Sequence, residues 1–262
     1  MHLRLFLLLA AGLLTGCASL PPGDRDPRDP LERYNRAVFR FNDALDRSFA
    51  QPLAEGYVKV TPAPVRTGIG NFFNNLTYPT VIINDLLQLK LKAFASDTTR
   101  LVLNTTIGIG GLFDPATQMG LAAGDEDFGQ TLGRWGVPAG PYFMWPISGP
   151  STIRDTVTWV ADQYTDPKTY AEPLALRLGL NAGNLFLERV ALLPTDDVVR
   201  RSFDPYVFVR NAYLKRREYQ VKDGKVPDEE MEIFEDEADA APAAEPAAEP
   251  AAAATTAPTP AQ

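Results

Sequence analysis

The chain has one histidine, His2, and one cysteine, Cys17, among 262 residues. From residue 18 onward it therefore offers neither imidazole nor thiol. That excludes Ser–His and Cys–His nucleophile pairs, zinc sites built on Cys or His, histidine-ligated haem and internal disulfides. No cofactor and no metal site is expected. A long apolar run is also missing. The leading one, Leu5–Leu14, is ten residues, too short for a hydrocarbon core ~30 Å thick. Positive charge is scarce at one end only. The chain carries 25 Lys+Arg against 33 Asp+Glu, but residues 227–262 hold ten acidic residues and no basic one. Residues 17–226 are left with 24 basic and 23 acidic side chains, so the body has no net field to recruit nucleic acid.

The amino terminus is laid out as an export signal over 1–16: Arg4, the apolar run, then small residues. Leu14-Thr15-Gly16-Cys17 looks like a bacterial lipobox, in which the Cys17 thiol is lipidated and becomes the mature amino terminus. Two or three acyl chains at ~0.8 kcal/mol per buried CH₂ anchor a protein firmly. Ala18 rather than Asp after Cys17 resembles lipoproteins sorted to the outer membrane. Residues 17–28 form a Pro/Asp/Arg-rich tether, and 29–226 the folded domain. Residues 227–262 form an acidic tail whose Ala240–Gln262 end has 12 Ala and 5 Pro and nothing to bury.

Within the domain the apolar period is helical. Asp29-Pro30 is expected to open the first helix, with the acid as its cap and Leu31, Tyr34, Val38, Phe41, Leu45 and Phe49 as its stripe. Val65, Ile69, Phe72, Phe73 and Leu76 repeat the pattern, as do Phe94, Thr98, Leu101, Val102 and Thr105. Further helices are expected over Phe128–Trp135, Thr152–Tyr164, Pro173–Leu193 and Pro205–Gln220. Strand alternation does not persist anywhere, so the class is all-α.

Charge is oddly sparse in the middle. Thr67–Asn84 and Trp135–Ile153 carry none, and Thr67–Ile153 has 10 charged residues in 87. A buried core is one explanation, since cores are poor in charge. A core helix, however, normally keeps a charged outer face. A body whose perimeter touches lipid fits better, and a Gly/Pro-rich segment at that depth needs protein or a water-filled cavity over its backbone.

Three short motifs have ordinary readings. Gly108-Ile109-Gly110-Gly111 lacks the Lys-Ser/Thr of a phosphate loop and is expected to stop a helix before Asp114 caps the next. Asp125-Glu126-Asp127 is expected to sit at a helix start, with no Ca²⁺-loop spacing. Lys215-Arg216-Arg217 is expected as a solvated helix end, with anionic headgroups or an acidic partner as the other reading.

The ordered blocks Asp29–Arg36, Asn71–Leu76, Asn104–Asp114, Asp127–Gly133, Gly140–Tyr142, Gly149–Asp155 and Asp204–Val207 resemble the MlaA (VacJ) family of outer-membrane lipoproteins. The resemblance implies a ring-like helical body in the periplasmic leaflet with an amphipathic central channel. It also implies removal of mislocalised phospholipid from the outer leaflet, a periplasmic carrier of the MlaC type as recipient, and a trimeric porin as holder. A family loop beside the channel matches Gly136, Val137, Pro138, Ala139, Gly140, Pro141 and Tyr142. Pro138 and Ala139 stand where more glycine is expected, which stiffens the loop. Phe72, Phe73, Tyr78, Trp135, Phe143, Met144 and Trp145 are the candidates for membrane or headgroup contact. Two other functions are weighed. A carboxylate-based cell-wall hydrolase needs a catalytic acid in a cleft, and the uncharged stretches hold no isolated Glu in an apolar setting, Glu126 being flanked by acids; a passive structural lipoprotein is the third reading.

Overall fold

Helices with apolar outer faces and polar inner ones make up most of residues 26–225, which this computed structural model describes. The expectations for the signal, Cys17 and the acidic tail lie outside those residues. Helix α1 (Glu32–Leu45) runs through one π-helical turn, Asp46–Ala50, into α2 (Gln51–Val60). Pro62 pushes Thr61 into extended geometry and so ends α2. Helix α3 (Ala63–Leu87) continues through Pro79, and Leu89, at φ 58°, turns the chain into α4 (Leu91–Thr106), which packs along α3. Ile109, Gly110 and Gly111 take left-handed backbone and stop α4, as expected. Asp114 then caps α5 (Pro115–Gln118) and Asp127 caps α6 (Phe128–Arg134), each accepting a backbone N–H of the first turn.

After α6 come two short antiparallel strands, β1 (Tyr142–Trp145) and β2 (Gly149–Thr152), pairing Tyr142 with Thr152 and Trp145 with Gly149. Among the described residues they are the one departure from an all-α body. Four residues of YFMW and a strand containing Pro150 show too little alternation to be read from sequence. Helix α7 (Ile153–Thr165), a 3₁₀ turn at Pro167–Tyr170, α8 (Leu174–Leu192), a second 3₁₀ turn at Leu193–Thr195, α9 (Asp196–Arg201) and α10 (Pro205–Val221) complete the domain. The helix boundaries expected from periodicity over 128–221 agree to within a residue.

Asp29 does not cap α1. Leu31 holds that position without a side-chain bond, while the Asp29 carboxylate is buried and accepts from Asn35, Tyr206 and Arg210. The last tether residues touch the domain. Asp26 pairs with Arg210 at 3.1 Å, and the Arg28 carbonyl accepts the Tyr142 N–H at 2.7 Å.

The interior is the polar part of this protein. Among the described residues seven apolar side chains are buried against eighteen polar or charged ones, the reverse of a water-soluble core. On α1 the expected stripe points outward, with Leu31, Tyr34, Phe41, Leu45 and Phe49 exposed, while Asn35 is buried. On α4 the buried positions are Asp97, Arg100 and Asn104, and Val102 lies outside. Helix α7 buries Arg154 and Thr158 and exposes Val157, Trp159, Val160 and Tyr164. No residue of α8 is buried, although five of its leucines are exposed. No described helix is long and apolar enough to cross a membrane.

Candidate functional site

The loop 136–141 leaves α6 through Gly136 and Gly140, both at left-handed φ, and is more tightly held than its composition suggests. Val137 N–H donates to the Leu132 carbonyl at 2.9 Å, and the Val137 carbonyl accepts Arg154 Nη1 at 3.3 Å. The Ala139 and Pro141 carbonyls accept the Arg154 and Ile153 N–H groups, both at 3.1 Å. Gly136, Val137, Pro138, Gly140 and Pro141 keep their side-chain faces exposed, and Ala139 is half-buried. The loop is thus an exposed strip pinned along one edge to the start of α7.

The aromatic candidates divide. Trp135 is exposed with Nε1 donating to the Leu87 carbonyl at 3.3 Å, and Trp145 is exposed with Nε1 on Thr156 Oγ1 at 3.1 Å. Both present an apolar ring outward and keep the polar tip bonded, as interfacial tryptophans do. Phe143 is half-buried between Tyr34, stacked at 5.2 Å, and Trp145, edge-on at 5.0 Å. Phe72 and Phe73 are half-buried, Phe73 against Gly183 of α8. Tyr142, Met144 and Tyr78 are buried. Strand alternation turns Tyr142 and Met144 into the small apolar cluster with Tyr206, and the Tyr78 hydroxyl accepts Arg100 Nε at 2.7 Å. Burial, then the nearby Asp29 charge, holds the Tyr142 hydroxyl well above the ordinary phenol range.

Sequence reading missed the polar knots that position these elements. Arg217, expected as part of a solvated helix end, is instead largely covered, with 11% of its side chain exposed, and bridges Asp127 and Asp155 at 2.7–3.1 Å. Burial alone would raise Asp155, but Arg217 and the Tyr213 hydroxyl pull it below the usual carboxylate range. One side chain from α10 therefore ties the amino-terminal ends of α6 and α7 together. In a second knot Arg100 reaches Tyr78, Asp114, Thr117 and the Leu121 carbonyl, which fixes the loop 107–121 on α4. That loop presents Ile107, Ile109, Leu112, Phe113 and Met119 outward on a rigid polar base. Exposed apolar surface of this extent marks an interaction surface rather than solvent-facing protein.

Three aspartates, a residue type that the expectation about an isolated Glu did not cover, have raised carboxyl pKa values. Burial raises Asp162 to about 7 despite the Phe128 N–H it accepts at 3.1 Å, and burial also raises Asp85 and Asp97. Asp85 and Asp97 are buried and out of reach of a polymer chain, so their geometry gives a glycan hydrolase no cleft. The signal that could have found them was their place on the inner face of charge-poor helices.

The MlaA lipoprotein family model matches residues 27–220. The chain is 36% identical over 242 residues to the Escherichia coli intermembrane phospholipid transport system lipoprotein MlaA, covering 88% of this chain and 93% of that protein. The Haemophilus influenzae protein of the same name is 32% identical, with 87% and 94% covered. An uncharacterised Rickettsia conorii protein is 39% identical over 196 residues, covering 74% of this chain and 78% of the relative. A solved chain, from work on the structural basis for maintenance of bacterial outer membrane lipid asymmetry, superimposes with a TM-score of 0.68. It is 35% identical and fully covered, over 75% of this chain. With its reversed polarity, its pinned loop and these matches along nearly the whole described domain, the chain belongs to the MlaA lipoprotein family.

Proposed function

We propose that this chain is an outer-membrane lipoprotein, anchored through Cys17 in the periplasmic leaflet, that removes mislocalised phospholipid from the outer leaflet. The lipid takes an amphipathic path through the body to a periplasmic carrier of the MlaC type, and a trimeric porin holds the body in place. The observation that carries this reading is the polar interior inside an apolar perimeter. A phospholipid headgroup needs polar partners across a layer that rejects charge, while its tails need apolar wall. The exposed loop 136–141 and the outward rings of Trp135 and Trp145 are its border. No bond is made or broken in such transfer. The relatives named for intermembrane phospholipid transport support the same reading.

The test is to delete the gene and label intact cells with an impermeant amine-reactive reagent. Outer-leaflet phosphatidylethanolamine should rise several-fold and return to normal with the wild-type gene. Unchanged labelling would overturn the proposal. Purification of the chain in mild detergent should bring down phospholipid together with a β-barrel protein.

A further inference from the structure

Asp85 closes the charge-free stretch of α3 and is 0% exposed, yet neither of its carboxyl oxygens has a hydrogen-bond partner. An ionised carboxylate so placed would be desolvated and unpaired. Opposite it on α4 stands Asp97, 2% exposed, within hydrogen-bonding reach and already accepting the Gly124 N–H at 3.2 Å. Two carboxylates cannot bond each other, so one must carry a proton; the Gly124 N–H already favours the charged form of Asp97, which makes Asp85 the donor. The loop closes directly over the pair. A Cβ added at Gly124 would lie 2.3 Å from Asp97 Oδ2 and 3.0 Å from Val81 Cγ1, one helical turn before Asp85.

The surrounding cations relieve the pair only in part, Lys90 acting on Asp85 and Arg100 on Asp97. Lys90, in the α3–α4 turn, is engaged by Glu126 and Asp223, and Arg100 on α4 by Asp114 and Tyr78. Asp125 and Glu126, in the loop itself, add negative charge. From α6 and α7 the contacts to this part of α3 are neutral: Thr131 to Asn84 and Gln88, and Thr165 to Thr80. Burial first, then Asp97, push Asp85 up to about 7.

We propose that Asp85 and Asp97 share one proton and form a pH-operated latch holding the loop 121–127 against α3 and α4. With the proton in place Asp85 donates to Asp97 and Gly124 stays docked. When it leaves, two adjacent buried carboxylates repel, and the loop opens locally at Gly124 to admit water, its ends staying tied by Arg100 to the Leu121 carbonyl and by Lys90 and Arg217 to Glu126 and Asp127. The folded-state pKa lies above the unfolded 3.8, so the stabilisation is complete below ~4, falls as pH rises and is gone above ~7.

Hydrogen exchange on the full chain in detergent, corrected for intrinsic rates, tests the latch locally, since Asp162 titrates in the same window and would blur a global melt. The Gly124 amide and its neighbours should lose at least tenfold protection between pH 5.5 and 8.5 in the wild type. In Asp85→Asn an amide donates to Asp97 without a proton to lose, so protection should be equal at both pH values. Asp97→Asn should behave alike, with its amide donating to Asp85. Equal wild-type protection at both pH values overturns the latch, even if both variants fail to fold. So does the same pH-dependent opening in either variant. Protection at pH 8.5 that Ca²⁺ restores and a chelator removes makes the pair a cation site instead, and also overturns it.

Discussion

Asn35 serves the edge of β1 as a partner strand would: its Nδ2 donates to the Tyr142 carbonyl at 3.2 Å and its Oδ1 accepts the Met144 N–H at 2.9 Å. The same Nδ2 lies 2.8 Å from Asp29 Oδ1, so one buried amide joins α1, the hairpin and the end of the tether. Asn35→Ala should leave the Met144 N–H and the Tyr142 carbonyl unsatisfied and cost about 2–4 kcal/mol. Asn35→Asp should cost at least as much, because it loses both donated bonds and faces Asp29. Denaturant melts in detergent give the comparison, and a loss under ~1 kcal/mol for both would show the hairpin is held elsewhere.

Arg217 makes forked contacts with Asp127 and Asp155 that a lysine cannot reproduce. Arg217→Lys should destabilise the domain by ~1–3 kcal/mol, and Arg217→Met by ~2–4 kcal/mol because the largely covered Asp155 and the half-buried Asp127 lose their partner. Adding Asp155→Asn to Arg217→Met should recover part of that loss. Strict additivity of the two in a double-mutant cycle would contradict the bridging role.

Asp162 is raised to about 7 chiefly by burial, above an unfolded value of 3.8. Its contribution to stability is present below ~4, declines as pH rises toward 7 and is absent beyond. Asp162→Asn should flatten that decline, since the amide oxygen still accepts the Phe128 N–H, and should melt no lower than wild type at pH 8. Melting temperatures from pH 4 to 8 check this.

For the loop 136–141, Pro138→Gly should change stability by under ~1 kcal/mol because the position is exposed, while speeding lipid passage if loop stiffness sets the rate. Gly140, at φ 70° with Ile153 Cβ 3.3 Å from an added methyl, should tolerate Ala poorly, at a cost of ~1–2 kcal/mol. Outer-leaflet phospholipid labelling and denaturant melts on the same two variants separate passage from folding.

The outer face of α7 gives a test of membrane seating. Val157 and Trp159 are 64% and 60% exposed, so Val157→Ser and Trp159→Ser should shift stability in detergent by under ~0.5 kcal/mol. If that face meets lipid, each should weaken vesicle binding of a chain lacking Cys17 by roughly 1–2 kcal/mol. Unchanged partitioning in a flotation assay would place the face elsewhere.

Sequence by itself determined where most helices run and stop and most of their acid caps, the Asp29 cap excepted, because these depend on residues within one or two turns of each other. Asp114 and Asp127 were legible as caps for that reason. It also set the charge-poor middle and the excluded chemistries, which are matters of composition. Only the tertiary structure decided which way each face points. The spacing of Leu31, Tyr34, Phe41 and Phe49 defines a stripe whether that stripe meets protein or lipid, so periodicity could not tell that Asn35 is the buried member of α1. The knots were hidden for the complementary reason. Asp29 meets Arg210, Asp127 meets Arg217 and Asn35 meets β1 across roughly 90 to 180 positions, and only the folded chain brings such side chains to within 3.1 Å.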